Sequence, residues 1–90
     1  MSAYTIERTD DFNQMLSVIE AEFPRIIEPI DAAEKYLRVK ALECGWISGR
    51  DGWRHHRTRA VPNVMPSVII YFFLDEEHKI VRMMQVLKWE

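Results

Sequence analysis

The stretch Ser67–Trp89 reads SVIIYFFLDEEHKIVRMMQVLKW, and its pattern decides the fold class. Ser67–Leu74 is a continuous run of mainly β-branched and aromatic residues, which is typical of a strand that is buried on both faces. The charged segment Asp75–Lys79 predicts a turn, and Ile80–Trp89 predicts the second strand of a hairpin. Strict alternation along this second strand would place its even-numbered residues on one face of a sheet and its odd-numbered residues on the other.

The residues before the hairpin predict one strand and two helices. Ala3–Arg8 is short, alternating and partly β-branched, as expected for a strand. Apolar residues then recur at helical spacing through residues 12–23, and Pro24 ends that helix. A second helix between Pro24 and Cys44 keeps the same period, and the glycine-containing segment Gly45–Gly52 predicts a loop.

Two segments between this loop and the hairpin complete the element order. Trp53–Thr58 can form a strand, whereas Ala60–Pro66 contains two prolines and predicts an irregular connection. The order is therefore strand, helix, helix, strand, strand, strand. We predict a single α+β domain over residues 1–90, in which two N-terminal helices pack on a mainly antiparallel four-stranded sheet.

Length and composition place the chain among small globular proteins. It has 90 residues, a hydrophobic content of 48% and a net charge of −2, which together exclude a disordered acidic tail. No apolar run approaches the roughly 18 residues that a membrane span needs, and the opening MSAYTIERTDD lacks the pattern of a signal peptide. The single cysteine, Cys44, permits no internal disulfide, so a reducing cytoplasm is the expected compartment.

Positive charge is concentrated in residues 50–59, which we call the basic strip. The strip carries a charge of +3 in a chain whose net charge is −2, so its field can attract an anion at close range. In a strand, the even-numbered residues of the strip would share one face and the odd-numbered residues the other. Its cationic, imidazole and indole side chains are Arg50, Trp53, Arg54, His55, His56, Arg57 and Arg59.

Three interpretations of the basic strip are open at this point. In the first, the strip is a solvated strand whose arginines pair with the acidic helices. In the second, it binds an anionic partner through the planar forks of its guanidinium groups. In the third, it cleaves RNA, because histidine can carry a proton near neutral pH, arginine can hold a phosphate, and Trp53 can stack a base.

The sequence predicts neither a metal site nor a cofactor site. His55 and His56 are adjacent and would point to opposite faces of a strand, and His78 lies in the predicted turn, so the three do not form a ligand set. Gly45–Gly52 matches no nucleotide-binding loop. Cys44 ends the apolar stripe of the second helix, where a small core residue is expected rather than a nucleophile.

The chain carries more methionine and tryptophan than a small core easily hides. Five Met and three Trp are present, and both types are enriched at protein interfaces. Met83 and Met84 are adjacent, so alternation would turn one of them away from the helices. We therefore predict a partner or homodimer surface that joins the hairpin to the basic strip. Its members are Arg50, Trp53, Arg54, His55, His56, Arg57, Arg59, Met83, Met84 and Trp89.

Three segments of the chain resemble the RelE/ParE superfamily of bacterial toxin–antitoxin modules. YTIERTDDF (Tyr4–Phe12) is similar to the opening strand and helix start of that family. WRHHRTR (Trp53–Arg59) is similar to its basic strand, and VIIYFFLDEEHKIVRMMQVLKW (Val68–Trp89) to its final hairpin. The likeness covers nearly the whole chain and lies in the order and spacing of the elements.

The resemblance implies a toxin-like protein of bacterial, plasmid or phage origin. Such a toxin acts on a macromolecular target, either the ribosome with its mRNA or DNA gyrase, and an antitoxin neutralises it. Arg54 and His56 lie near the cationic positions of the ribosome-dependent mRNA endonucleases and are the candidates for catalysis. Val68 and Ile69 occupy the places of a Tyr-Arg pair that is usual in the family, so we favour binding without catalysis. The alternative is a non-enzymatic phage- or plasmid-encoded inhibitor that binds a protein partner through the basic strip and the hairpin.

Overall fold

The computed structural model describes residues 3–89, so Met1, Ser2 and Glu90 of the predicted domain lie outside the described residues. Short 3₁₀ turns at Pro24–Ile26 and Ala41–Glu43 flank the second helix. The helices and strands are β1 (Thr5–Arg8), α1 (Asp10–Glu22), α2 (Ile27–Lys40), β2 (Gly45–Trp46), β3 (Trp53–Arg57), β4 (Ser67–Asp75) and β5 (Ile80–Trp89). Within this range, no helix has both the length and the apolar character that crossing a membrane requires.

The strands of residues 3–89 form one mixed sheet in the order β1-β5-β4-β3-β2. β1 runs parallel to β5, and the other neighbours are antiparallel. The α+β class and the mainly antiparallel sheet are therefore confirmed. The sheet has five strands instead of the predicted four, because Gly45 and Trp46, in the predicted loop, pair with His55 and Arg54. Two residues are too few to carry an alternating pattern.

α1 begins at a threonine cap that also contacts the sheet. The Thr9 hydroxyl accepts a hydrogen bond from the Phe12 N–H (3.2 Å) and donates one to the Met83 carbonyl (2.8 Å). Asp10 and Asp11 lie in the first turn, where carboxylates complement the helix dipole. A single hydroxyl therefore fixes both the start of α1 and its position on β5.

The two helices cover one side of the sheet, and the core lies between them and the strands. Phe12 of α1 and Leu37 of α2 are fully buried, as the helical spacing predicts. Alternate residues of β4, namely Val68, Ile70 and Phe72, are fully buried against them. Burial of one side chain of this size contributes about 1.5–3 kcal/mol. We call this side of the sheet the helix side, and the opposite side the open face.

A partly buried ion pair attaches α2 to β1. Arg8 donates two hydrogen bonds to the carboxylate of Glu34, with N–O distances of 2.7 Å and 2.9 Å. The hydrogen bond to Glu34 is the main reason why the pKa of Arg8 is raised above its usual value. This bidentate contact attaches one side of α2 to β1. The opposite side of the helix contacts β3.

A β-bulge at Met84 interrupts the alternation of β5. The register steps from Gln85 to Met83 between two consecutive residues of β4, so Met84 has no residue opposite it. Met83 and Val86 are both buried on the helix side, although strict alternation would place them on opposite faces. The predicted alternation is therefore wrong beyond the bulge. Met83 has no exposed surface, so it belongs to the core and not to the predicted partner surface.

Candidate functional site on the open face

β3 divides the basic strip between the two sides of the sheet. Arg54 and His56 pair with fully buried residues of β4 and therefore lie on the helix side. Trp53, His55 and Arg57 alternate with them and lie on the open face. The alternation expected for the strip is thus present in the structure, and it sends the strip's charges to two separate surfaces.

The hairpin places further side chains on the open face beside β3. Tyr71 of β4 pairs with His55 on one side and with Gln85 on the other. Leu87 and Trp89 continue this face along β5 and are 44% and 42% exposed. The open face is therefore a partly apolar surface with imidazole and amide groups at its centre.

Two arginines lie over indole rings at the borders of this face. The Arg57 guanidinium is 5.1 Å from the centroid of the Trp89 ring, and its Nε donates a 3.2 Å hydrogen bond to the Ser67 hydroxyl. The Arg50 guanidinium is 4.9 Å from the centroid of the Trp53 ring. Such cation–π contacts contribute about 0.5–1 kcal/mol at exposed sites, so they orient the guanidinium groups without neutralising them.

The segment between β2 and β3 overhangs the open face and forms a cleft there. Gly52 returns the chain to β3 with a φ of +82°, and a Cβ atom on it would lie 2.5 Å from the Phe73 ring. Both the backbone and the available space therefore require glycine at this position. The cleft has a volume of about 320 Å³ and is lined by Ile47, Arg50, Tyr71, Gln85 and Leu87.

In the part of the chain that the structure describes, the arginines of the basic strip are not paired with carboxylates. Within residues 3–89, none of the four forms an ion pair. Carboxylates of α1 and α2 pair instead with Arg8, Arg25 and Lys88. The interpretation of the strip as a strand that is neutralised by the acidic helices is therefore wrong for the described residues.

Arg54 and His56, the predicted catalytic candidates, are engaged on the helix side. Arg54 donates a 2.7 Å hydrogen bond to the carbonyl of Cys44. The His56 ring stacks on the Tyr36 ring of α2, with centroids 5.0 Å apart. Burial, and secondarily the charge of His55, lowers the pKa of His56 below its usual value. The sheet separates both candidates from the open face.

The predicted partner surface is therefore divided. Arg54 and His56 lie on the helix side, Arg59 lies beyond the end of β3, and Met84 is half-buried at the bulge. The predicted members that come together on the open face are Arg50, Trp53, His55, Arg57 and Trp89. We call these five residues, together with Tyr71, Gln85 and Leu87, the open-face site.

Tyr71, Gln85 and Leu87 are absent from the predicted surface for a physical reason. Tyr71 stands in a run of residues that is apolar on both faces, so periodicity does not distinguish it from its neighbours. Gln85 and Leu87 reach the open face only because the bulge changes the side on which odd-numbered residues lie. Tyr71 and Gln85 carry polar groups in segments that are otherwise mainly apolar. This contrast is the feature of the sequence that could have indicated this part of the site.

Metal-binding and nucleophilic groups do not gather at the open-face site. Within residues 3–89, no three His, Cys, Asp or Glu side chains lie close enough together to hold a metal ion. Cys44 is buried, and burial raises the pKa of its thiol. A buried thiol of this kind is inert as a nucleophile near neutral pH.

Comparison with known proteins identifies a likeness at the level of structure. No protein-family model and no curated protein matches the chain. The structure is similar to a chain in the crystal structure of the toxin–antitoxin complex RelBE2 from Mycobacterium tuberculosis, with a TM-score of 0.65 and 20% sequence identity. The likeness covers 97% of this chain and 99% of that chain. The chain accordingly has the RelE-like fold that the sequence resemblance implied.

Proposed function

We propose that the chain is the toxin-like member of a toxin–antitoxin pair. It binds a macromolecular target through the open-face site, and an antitoxin protein neutralises it in the cytoplasm. The RelE-like fold supports the proposal, as does the occurrence of a similar chain in a toxin–antitoxin complex. The observation that carries it is the open-face site itself, where Arg50 and Arg57 present charge without an ion pair among residues 3–89.

The open-face site combines charge with flat aromatic surface. Trp53, Tyr71 and Trp89 offer rings on which a base or an apolar side chain can stack, and base stacking contributes about 1–3 kcal/mol per base. Arg50 and Arg57 flank these rings and can hold phosphate or carboxylate oxygens. An RNA strand on the ribosome meets these requirements, and so does an acidic patch on a protein target such as DNA gyrase.

A non-enzymatic inhibitor or interaction protein is the second candidate, and one observation favours it. Arg54 and His56 contact the Cys44 carbonyl and the Tyr36 ring instead of facing the open-face site. His78 lies in the turn after β4 and contacts Asp75, so of the three histidines, all of which lie within residues 3–89, only His55 belongs to the open-face site. A pair of imidazoles for acid–base cleavage of RNA is therefore not assembled there.

Induced expression in bacteria tests the proposed function. We expect the wild-type chain to arrest growth, and co-expression of an antitoxin-like reading frame beside its gene to restore growth. A double variant, Arg50→Gln with Arg57→Gln, should lose the arrest. The matched control is Lys35→Gln with Arg38→Gln, which removes the same charge from exposed positions of α2 and should arrest growth like the wild type.

The state of the cellular transcripts separates the two target classes. Transcripts that are cut during the arrest would indicate ribosome-dependent mRNA cleavage, and intact transcripts would indicate gyrase as the better target. Normal growth at high soluble expression of the wild-type chain would remove the toxin function. The inhibitor or interaction protein would then be the better account of the open-face site.

A further inference from the structure

The outer side of α2, which faces away from the sheet, carries a second row of apolar side chains. The core-facing row of this helix contains Leu37, which is fully buried. The second row recurs at helical spacing through α2 and the 3₁₀ turn that follows it, and one residue of β2 extends it. We call it the outer stripe, and its members are Ala32, Tyr36, Val39, Leu42 and Trp46.

The outer stripe exposes four large side chains. Tyr36, Val39, Leu42 and Trp46 are 42%, 61%, 51% and 79% exposed. Trp46 pairs with Arg54 in the sheet and therefore lies on the helix side, where the Arg54 guanidinium is 5.6 Å from the centroid of the indole. One exposed apolar side chain is ordinary, but four in a row on one side of a small domain are typical of a protein–protein interface.

Two residues of opposite charge stand beside the outer stripe at equal distances from its centre. Lys35 lies four residues before Val39, and Glu43 lies four residues after it. Within residues 3–89, Lys35 forms no ion pair. Glu43 contacts the Nζ of Lys40 through one carboxylate oxygen, at 3.1 Å, and its other oxygen can accept a further hydrogen bond. The stripe is therefore complementary in charge to a copy of itself that runs in the opposite direction.

We propose that two copies of the chain associate through their outer stripes, with the two α2 helices antiparallel about a two-fold axis at Val39. A two-fold axis brings together residues that are equally far from it in sequence. Lys35 of each copy then faces Glu43 of the other, which gives two ion pairs at the rim. Rim pairs of this kind contribute little affinity, but they fix the register of the two helices.

The same register matches the apolar side chains by size. The two Val39 side chains meet at the axis, and Leu42 of each copy faces Tyr36 of the other. The indole of Trp46 faces Ala32 of the other copy, whose small side chain leaves room for it. Large side chains opposite small ones allow two helix surfaces to interdigitate without a void. Every member of the outer stripe is thus covered by another member.

Other registers are disfavoured by charge or by length. With the axis between Leu37 and Arg38, Lys35 of one copy would face Lys40 of the other. With the axis half a turn further toward the start of α2, Glu28 would face Glu43. Like charges at opposed positions destabilise an interface. An axis closer to the end of α2 would leave Lys35 outside the contact, because the helical part of the stripe ends at the 3₁₀ turn. Charge and length together therefore select the register that is centred on Val39.

The interface is small, and it leaves the open-face site free. A standard interface takes about 20–30 residues from each partner, whereas this one uses the five members of the outer stripe and the two charged residues beside it. We therefore expect a weak dimer, with a Kd of roughly 10–100 μM, as for transient contacts at the low end of interface size. The outer stripe lies on the helix side, so the inference does not rest on the proposed function.

Sedimentation velocity over a range of concentrations tests the proposal. At about 0.5 mM we expect most of the wild-type chain to be dimeric, since this concentration exceeds the expected Kd. Val39→Glu places two carboxylates at the axis and should raise the Kd at least about tenfold. The matched control is Val18→Glu, the same change at a 74% exposed position of α1, which should keep the Kd within about twofold of the wild-type value.

Charge reversal tests the register. Lys35→Glu and Glu43→Lys should each raise the Kd at least about threefold, because each brings like charges together at both rims. The two changes combined restore opposite charges and should return the Kd to within about twofold of the wild-type value. Net charge alone predicts a different result, because the two single changes shift it in opposite directions.

A cross-link locates the axis. Val39→Cys should form a covalent dimer in the presence of oxidised glutathione, because a disulfide joins Cβ atoms that are about 3.5–4.5 Å apart. Val18→Cys is the control and should stay uncross-linked in the same time. The buried thiol of Cys44 is common to both variants and does not distinguish them.

Three outcomes would overturn the proposal. A wild-type chain that is monomeric at about 0.5 mM would leave the outer stripe to a different protein. Equal effects of Val39→Glu and Val18→Glu would place the contact elsewhere on the molecule. Failure of the combined charge reversal to restore the dimer would exclude the antiparallel register.

The dimer and the proposed function fail independently. Arg50→Gln with Arg57→Gln should abolish growth arrest and still dimerise like the wild type, because these residues border the opposite side of the sheet. Loss of Lys35 weakens the dimer but should not prevent growth arrest, since the monomer carries the complete open-face site. A dimer without growth arrest would retain the interface and remove the toxin function, and growth arrest by a strictly monomeric chain would do the reverse.

Discussion

Single residues decide which part of the basic strip reaches which surface. Alternation along β3 sends Arg57 to the open face and His56 to the helix side. Each is then held by an aromatic ring, that of Trp89 for Arg57 and that of Tyr36 for His56. The two rings come from distant parts of the chain and lie on opposite sides of the sheet. Because its residues alternate between these sides, one short strand contributes to two separate surfaces. A view of the strip as one block of charge misses this division.

Gly52→Ala tests the turn that leads the chain onto the open face. Its φ of +82° is costly for a residue with a side chain, by roughly 1–2 kcal/mol, and the new Cβ would meet the Phe73 ring at 2.5 Å. We therefore expect the free energy of unfolding, measured by urea denaturation, to fall by more than about 2 kcal/mol.

Gly49→Ala is the matched control for this contact. Gly49 has a similar φ of +78°, but no atom lies within 4 Å of the position that its Cβ would take. The control should therefore lose only the backbone contribution of roughly 1–2 kcal/mol. Equal losses for the two variants would mean that the Phe73 ring moves aside without cost and does not constrain the turn.

At the scale of elements, patterns that repeat could be predicted and features that occur once could not. The stripes of α1 and α2 and the run of β4 contain several periodic residues each, so the sequence predicts these elements correctly. β2 has two residues and the bulge is one extra residue, Met84, so neither changes the periodicity of a window. The open-face site depends on both, because β2 anchors the segment that carries Arg50 and the bulge turns Leu87 and Trp89 to the open face. The sequence therefore predicts the members of the site that come from the basic strip, together with Trp89, but not Tyr71, Gln85 and Leu87.

Thr9→Ala tests the connection between α1 and the bulged strand. The variant loses the acceptor for the Phe12 N–H and the donor to the Met83 carbonyl. Loss of a helix cap typically costs about 0.5–2 kcal/mol, and we expect the upper half of this range because the second hydrogen bond is lost as well. Thr9→Ser keeps the hydroxyl and should lose less than half as much free energy of unfolding. If both variants lose the same amount, the methyl group of Thr9 and not its hydroxyl stabilises the contact.

At the scale of the whole molecule, two arginines that are unpaired within residues 3–89 lie on the side of the sheet opposite the acidic first turn of α1. The molecule measures 39 × 29 × 22 Å, whereas screening limits the reach of a surface charge to about 8–10 Å at physiological ionic strength. Acidic residues begin α1 on the helix side, and Arg50 and Arg57 border the open face. The net charge of −2 therefore does not describe the field that a partner meets there. A small acidic protein can in this way present a cationic surface to a partner while it remains acidic elsewhere.

Retention on a column of heparin, which is a polyanion, shows whether binding depends on the charge of the basic strip or on the net charge of the molecule. At pH 7.5 we expect weak retention of the wild-type protein and elution below about 0.2 M salt, because few charge contacts form and salt releases them steeply. Arg57→Gln with Arg59→Gln should pass through the column without retention. Lys35→Gln with Arg38→Gln should elute with the wild type, although it lowers the net charge by the same amount. If the two double variants elute together, the net charge governs binding, and the basic strip does not act as a separate cationic surface.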